Sequence, residues 1–158
     1  MGLNISAYSN CKPVDVELDE EGESTIENTV ETHVNFDYPE RADGMPSRQW
    51  YQYDRSMSFT AGSYPNYGHW RRQLASLGGY DAEDAWNGLV PSGPFLELVD
   101  FADNEGVIGP ITSAKLANDF ATYETAARKV MEGRDMVLYK EWRQAFEMAR
   151  QGGLIKFD

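Results

Sequence analysis

Seven carboxylates fall between residues 17 and 31, at Glu17, Asp19, Glu20, Glu21, Glu23, Glu27 and Glu31, and no Lys or Arg interrupts them. Side chains of this type at this density act electrostatically: they hold fixed negative charge that draws in a basic protein, as a phosphate track does. The same run also suits a solvated hairpin tip with no partner at all. A second group differs in kind. Arg48, Arg55, Arg71 and Arg72 stand in a segment that also holds Tyr64 and His69 and is rich in Trp, Tyr and Phe. Guanidinium groups grip phosphate or carboxylate with paired hydrogen bonds and aromatic rings offer stacking faces, so these six residues form an alternative, ligand-binding candidate. The competing reading makes Trp50, Tyr53, Phe59, Trp70 and Leu74 core, with the Arg stems laid over it.

No catalytic residue is assigned. His33 and His69 are the two imidazoles, and each needs a carboxylate from elsewhere in the chain before it can serve as base or metal ligand. Cys11 stands alone beside Lys12 and can close no internal disulfide. The chain has no Walker loop, no His-x-x-x-His and no Gly-x-Ser-x-Gly, the motifs whose mechanics define phosphate, metal and acyl-transfer sites. Asp100, Asp103 and Glu105 offer oxygen ligands, but too few and at the wrong offsets for a calcium loop, and read as a solvated helix end. No metal and no cofactor are implied.

The formal charge of −12 is unevenly spread. Residues 1–40 hold ten Asp and Glu against Lys12, a net −9, and residues 41–72 come to +3. Residues 73–110 contain no Lys or Arg and carry −7, and residues 111–158 carry +1. At 158 residues the chain is the length of one domain, and its aromatic content of 13% supplies large buried area per residue. No apolar run approaches the roughly 18–20 residues that cross a bilayer, and no signal sequence opens the chain, so a soluble cytoplasmic protein is expected.

The elements that must position these groups follow from periodicity. Leu3, Ile5 and Ala7 alternate with polar neighbours, as do Val14, Val16 and Leu18, and then Val30, Thr32, Val34 and Phe36. That pattern predicts three half-buried antiparallel strands. Residues 19–24 turn between the second and third, with Gly22 for a positive φ. Residues 38–46 read as loop and 50–59 as a further strand. Spacing then predicts helices over 64–77, over 81–87, over 95–101 until Gly106–Pro110 interrupts, from about 110 to 132, and from 135 to about 151. Leu154–Phe157 adds a closing strand. Strands early and helices late predict an α+β fold, with N-terminal antiparallel strands packed against about four to five C-terminal helices. The expected domain spans 1–158, mainly strand over 1–62, mainly helix over 63–153, with the closing strand at 154–157.

Three blocks carry a resemblance: Met1-Gly2-Leu3-Asn4-Ile5-Ser6-Ala7-Tyr8; Ala61-Gly62-Ser63-Tyr64 with Tyr67, Trp70, Arg71 and Leu74; and Asp103-Asn104-Glu105-Gly106-Val107-Ile108-Gly109-Pro110. These scattered blocks, over roughly the first two thirds of the chain, resemble small uncharacterised proteins encoded by bacteriophages and prophages. The resemblance implies a setting in an infected or lysogenic bacterial host and no catalytic residue. Small acidic phage proteins bind and disable host machinery, including defence systems, and some imitate nucleic-acid charge. The leading expectation is therefore an acidic, anti-defence type of inhibitor that binds a host nucleic-acid-handling protein through that protein's basic surface. A nucleotide-like ligand binder or hydrolase using residues 48–72 is the alternative, and a minor virion or assembly component a third. No direct nucleic-acid or membrane partner is expected. Because the local +3 is flanked by −9 and −7, the chain should fail to shift duplex DNA or RNA in low-salt gels. Nanomolar duplex binding would overturn that expectation.

Overall fold

Alternation in the first strand decides the layering. A computed structural model describes residues 2–101 and 105–158. In chain order the elements are β1 (Gly2–Tyr8), β2 (Lys12–Pro13), β3 (Thr29–Glu31), a 3-10 turn (Pro39–Ala42), β4 (Trp50–Gln52), β5 (Ser56–Ser63), α1 (Tyr64–Leu77), α2 (Ala82–Trp86), α3 (Leu96–Val99), β6 (Gly106–Ile108), α4 (Pro110–Val130), α5 (Arg134–Ala149) and β7 (Leu154–Phe157). The fold is α+β, with antiparallel N-terminal strands and a helical C-terminal half.

β1 buries Leu3, Ile5 and Ala7 on one face, the period of two that a pleat imposes. It sits between β5 and β7 in a four-stranded antiparallel sheet of order β5-β1-β7-β6. Register puts Met57 and Phe59 of β5, and Ile155 and Phe157 of β7, beside Ala7 and Ile5. This apolar face is covered by α1, α4 and α5, whose buried residues Trp70, Leu74, Leu116, Phe120, Trp142 and Phe146 form the main core with it. The opposite face is partly covered by a small sheet of order β2-β4-β3. Val30 and Tyr51 of that sheet meet Val107 and Leu154 in a second, smaller core, with Tyr8 and Cys11 at its edge.

Local signals account for the helices. Ser63 caps α1 by accepting from the Asn66 amide, and the Asp81 carboxylate caps α2 by accepting from Glu83. α4 starts with Pro110 and has no cap from its own N-cap residue, Gly109. Asp43 caps it from a distance instead, accepting from the Thr112 amide at 2.8 Å and the Thr112 hydroxyl at 2.9 Å.

Four strand expectations are corrected. Residues 14–18 are not a strand: Val14 donates one bond to Trp50, and Leu18, 53% exposed, makes a lone bridge to Ser24. Val14 and Val16 are only partly buried and Leu18 is exposed, so the alternation buries too little to hold a ladder. The strand expected over 30–36 ends at Glu31. Beyond it the Thr32 hydroxyl donates to the Pro46 carbonyl, the Asn35 side chain accepts from the Asp37 and Tyr38 amides, and Phe36 is 95% exposed. Side-chain bonds to backbone have replaced the ladder. The run 50–59 splits between the two sheets because Ser9 holds the chain at the corner: its carbonyl accepts from Asp54 and its amide donates to Arg55. Gly106–Ile108, expected only to interrupt, is the buried edge strand β6.

The closest backbone approach is at Gly153, where a Cβ would overlap the Tyr8 carbonyl oxygen of β1. Gly153→Ala is expected to lower stability by about 2–3 kcal/mol or more, as overpacking against a fixed backbone does. Asp43→Ala should cost about 1 kcal/mol, the value of a lost helix cap. Urea unfolding measures both, and wild-type midpoints would show that neither contact matters.

Candidate functional site

Residues 17–25 form a tight hairpin whose geometry is set by one of its own acids. Asp19 accepts from the Glu21 and Glu23 amides through Oδ1, both at 2.9 Å, and its backbone pairs with Glu23 and Gly22. Below the turn the Thr25 amide and hydroxyl both donate to the Glu17 carbonyl. This side-chain-to-backbone pattern turns the chain without a buried residue. Glu17, Asp19, Glu20, Glu21, Glu23 and Glu27 are all exposed, and Glu31 at the base is half-buried. Among the described residues none of the six exposed acids pairs with a Lys or Arg, and Glu31 meets only His33 Nε2, at 3.4 Å. Two apolar side chains, Leu18 and Ile26, stand exposed among these carboxylates. The hairpin thus combines uncompensated charge with apolar contact surface.

The six residues of the alternative set have different surroundings. Arg71 lies in the interior, 5% exposed, with Nη1 donating to the Val99 and Phe101 carbonyls. Its guanidinium packs against the Tyr67 ring at 4.5 Å and the Trp86 ring at 5.3 Å. It ties α1 to α3. Arg72 pairs with Glu83 at 3.0 Å and lies over Trp86. Tyr64 and His69 are exposed on α1, Arg48 is exposed in the loop before β4, and Arg55 is exposed at the corner between β4 and β5. Of the rings, Trp70 is core, as is Leu74, while Phe59 packs partly buried against them.

Asp100 is corrected as well. It is no solvated helix end: Arg41 grips it with two bonds of 2.7 and 3.1 Å while donating to the Glu97 carbonyl. Burial pushes the Asp100 carboxyl up, against the pull of Arg41. Glu105 contributes its carbonyl to Asn35, and Asp103 lies outside the described residues. Among the described residues no group of three or more His, Cys, Asp or Glu is placed to hold a metal ion.

One concave feature was not singled out from sequence. A cavity of about 560 Å³ lies between the start of β5, α4 and α5, lined by Arg55, Arg128, Lys140 and Arg143 together with Met57 and Met148. Glu124 bridges two of the cations, meeting Arg143 at 3.1 Å and Arg128 at 3.0 Å. Burial opposes ionisation of Glu124, but the bonds from Arg143 and Arg128 win and hold its carboxyl below the ordinary range. The near-neutral total of residues 111–158 hides this cluster. The sequence signal was Lys140 and Arg143 one turn apart on α5, which becomes a site only when α4 and Arg55 are folded against it.

In comparisons with known proteins the chain matches no family model, no curated protein and no solved structure. No helix among the described residues is long and apolar enough to cross a membrane.

Cys11 is half-buried under the small sheet, and burial pushes its thiol up to about 12, despite a bond with the Leu154 backbone. A thiol that keeps its proton is a poor nucleophile. Native protein at pH 8 should therefore react with iodoacetamide far more slowly than the urea-unfolded chain. The folded pKa lies above the unfolded one, so this group's contribution is intact below pH 9 and is lost as pH rises from about 9 to 12. Equal alkylation rates in the two states would remove the argument.

Proposed function

We propose that this protein is an interaction module that captures a basic partner protein on the hairpin of residues 17–31. The observation that carries the reading is the isolation of the charge. Among the described residues the exposed hairpin carboxylates have no Lys or Arg partner, whereas Glu83, Glu97, Asp100, Asp119 and Glu124 each have one. Unpaired like charges repel, and the chain retains them at an exposed tip whose own turn is organised by Asp19. A basic surface would relieve that repulsion and speed encounter. Exposed Leu18 and Ile26 supply apolar anchors inside the charged rim, the arrangement that favours a protein over a simple counter-ion. Together with the resemblance to phage and prophage proteins, this points to a nucleic-acid-handling or defence protein of a bacterial host, blocked where it would meet phosphate.

The test begins with capture from bacterial lysate at low salt, identification of the retained protein, and measurement of its association rate. Glu20, Glu21 and Glu23 changed together to Gln should slow association several-fold and flatten its salt dependence. The melting temperature should stay nearly unchanged, because these exposed carboxylates make no ion pair among the described residues. Asp19 is left in place, since its removal would open the turn. Leu18→Ser should shorten the lifetime of the complex without changing the salt slope. An unchanged on-rate in the triple variant would take the hairpin out of the interface.

A further inference from the structure

The cationic groove has the composition of a ligand site rather than of a solvated helix face. Asp and Glu outnumber Lys and Arg by 26 to 14 in this chain, yet Arg55, Arg128, Lys140 and Arg143 share one cavity with only Glu124 and Glu147. Glu124 is taken up by two arginines, and Glu147 reaches Arg150 at 3.9 Å. Among the described residues Arg55 and Lys140 have no carboxylate in ion-pair range. Like charges on a concave wall repel one another and focus positive potential into the space between them, and a bound anion cancels that repulsion.

Two of the cations have anchors, Arg55 through its backbone and Arg143 through its side chain. The Arg55 main chain is clamped to fully buried Ser9, whose amide donates to the Arg55 carbonyl at 3.0 Å and whose hydroxyl accepts from the Arg55 amide at 3.2 Å. Glu124 orients Arg143 across the gap between α4 and α5. Positioned guanidinium groups fit phosphate oxygens with paired bonds. Met57 and Met148 give the same cavity a polarisable apolar wall, the kind of surface on which a flat ring rests. A volume of about 560 Å³ lies within the small-molecule range.

We propose that the groove between β5, α4 and α5 binds a nucleoside phosphate, with its phosphates on Arg55, Lys140 and Arg143 and its ring against Met57 and Met148. The site is separate from the acidic hairpin and does not depend on the partner reading. Of the six ligand candidates read from sequence, it uses only Arg55.

Thermal shift and isothermal titration of the full chain at low salt test it, with ATP, ADP, adenosine, pyrophosphate and inorganic phosphate as probes. ADP and ATP should raise the melting temperature, since a ligand that binds only the folded state must do so, and should bind at micromolar concentration. Adenosine and inorganic phosphate should each bind at least about tenfold more weakly, the loss expected when one half of the contacts is missing. Arg55→Gln with Lys140→Gln should weaken ADP by more than about tenfold while the free protein melts as before. Met148→Gln should weaken ADP and leave pyrophosphate unchanged. The proposal is overturned if no nucleotide shifts the melting temperature at millimolar concentration, or if the double Gln variant binds ADP like the wild type. It is overturned equally if pyrophosphate binds as tightly as ADP, or if the groove is filled in salt-dependent fashion by the acidic hairpin of a second copy.

Discussion

Trp142 is the contact on which the three layers depend. Its ring lies edge-on to Phe59 of β5 at 5.1 Å and tilted on Phe157 of β7 at 5.7 Å, so it seats α5 on two strands that flank β1. On its other sides it meets Tyr67 and Trp70 of α1 and Phe146 of its own helix, in near-parallel pairs at 5.5–6.2 Å. Offset pairs of this kind contribute about 0.5–1.5 kcal/mol each beyond the area they bury. One side chain therefore joins both long-range partners of the sheet, and the outer layer of β2, β3 and β4 can rest on a rigid support.

That support lets charge be sorted by layer. The helical side holds several of its charges in local pairs, such as Lys115 between Glu97 and Asp119 and Glu124 between Arg128 and Arg143. Among the described residues the exposed hairpin carboxylates of the outer layer meet no Lys or Arg. The same residue type takes different roles according to burial. Arg71, packed against Tyr67 and Trp86, serves as a donor to backbone carbonyls, whereas Arg55, exposed and unpaired among the described residues, remains able to meet an anion. The half-buried Arg41–Asp100 pair locks the 3-10 turn to the end of α3, and breaking one partner of such a pair is far more damaging than its net contribution suggests.

Chain order alone determined much of this protein. The alternation of Leu3, Ile5 and Ala7 and the three-to-four spacing of Tyr67, Trp70, Leu74 and Leu77 are local patterns, and the strand and helix they predict are present. The closing strand 154–157 was legible for the same reason, as was the exposure of the acidic turn, because residues 19–23 hold no apolar side chain. Tertiary structure decided the rest, since the deciding partners are remote in sequence. Alternation at 14–18 produced no strand because Val14 and Val16 are only partly covered and Leu18 is exposed. Residues 50–59 became two strands because Ser9, more than forty positions away, holds the corner. Gly106–Ile108 became a strand only because β7 offers it an edge. The six ligand candidates are neighbours along the chain but take different surroundings in the fold, and Arg128, Lys140 and Arg143 became neighbours of Arg55 only through the packing of α4 and α5. A charge count along the chain sums what the fold separates, and it separates what the fold brings together.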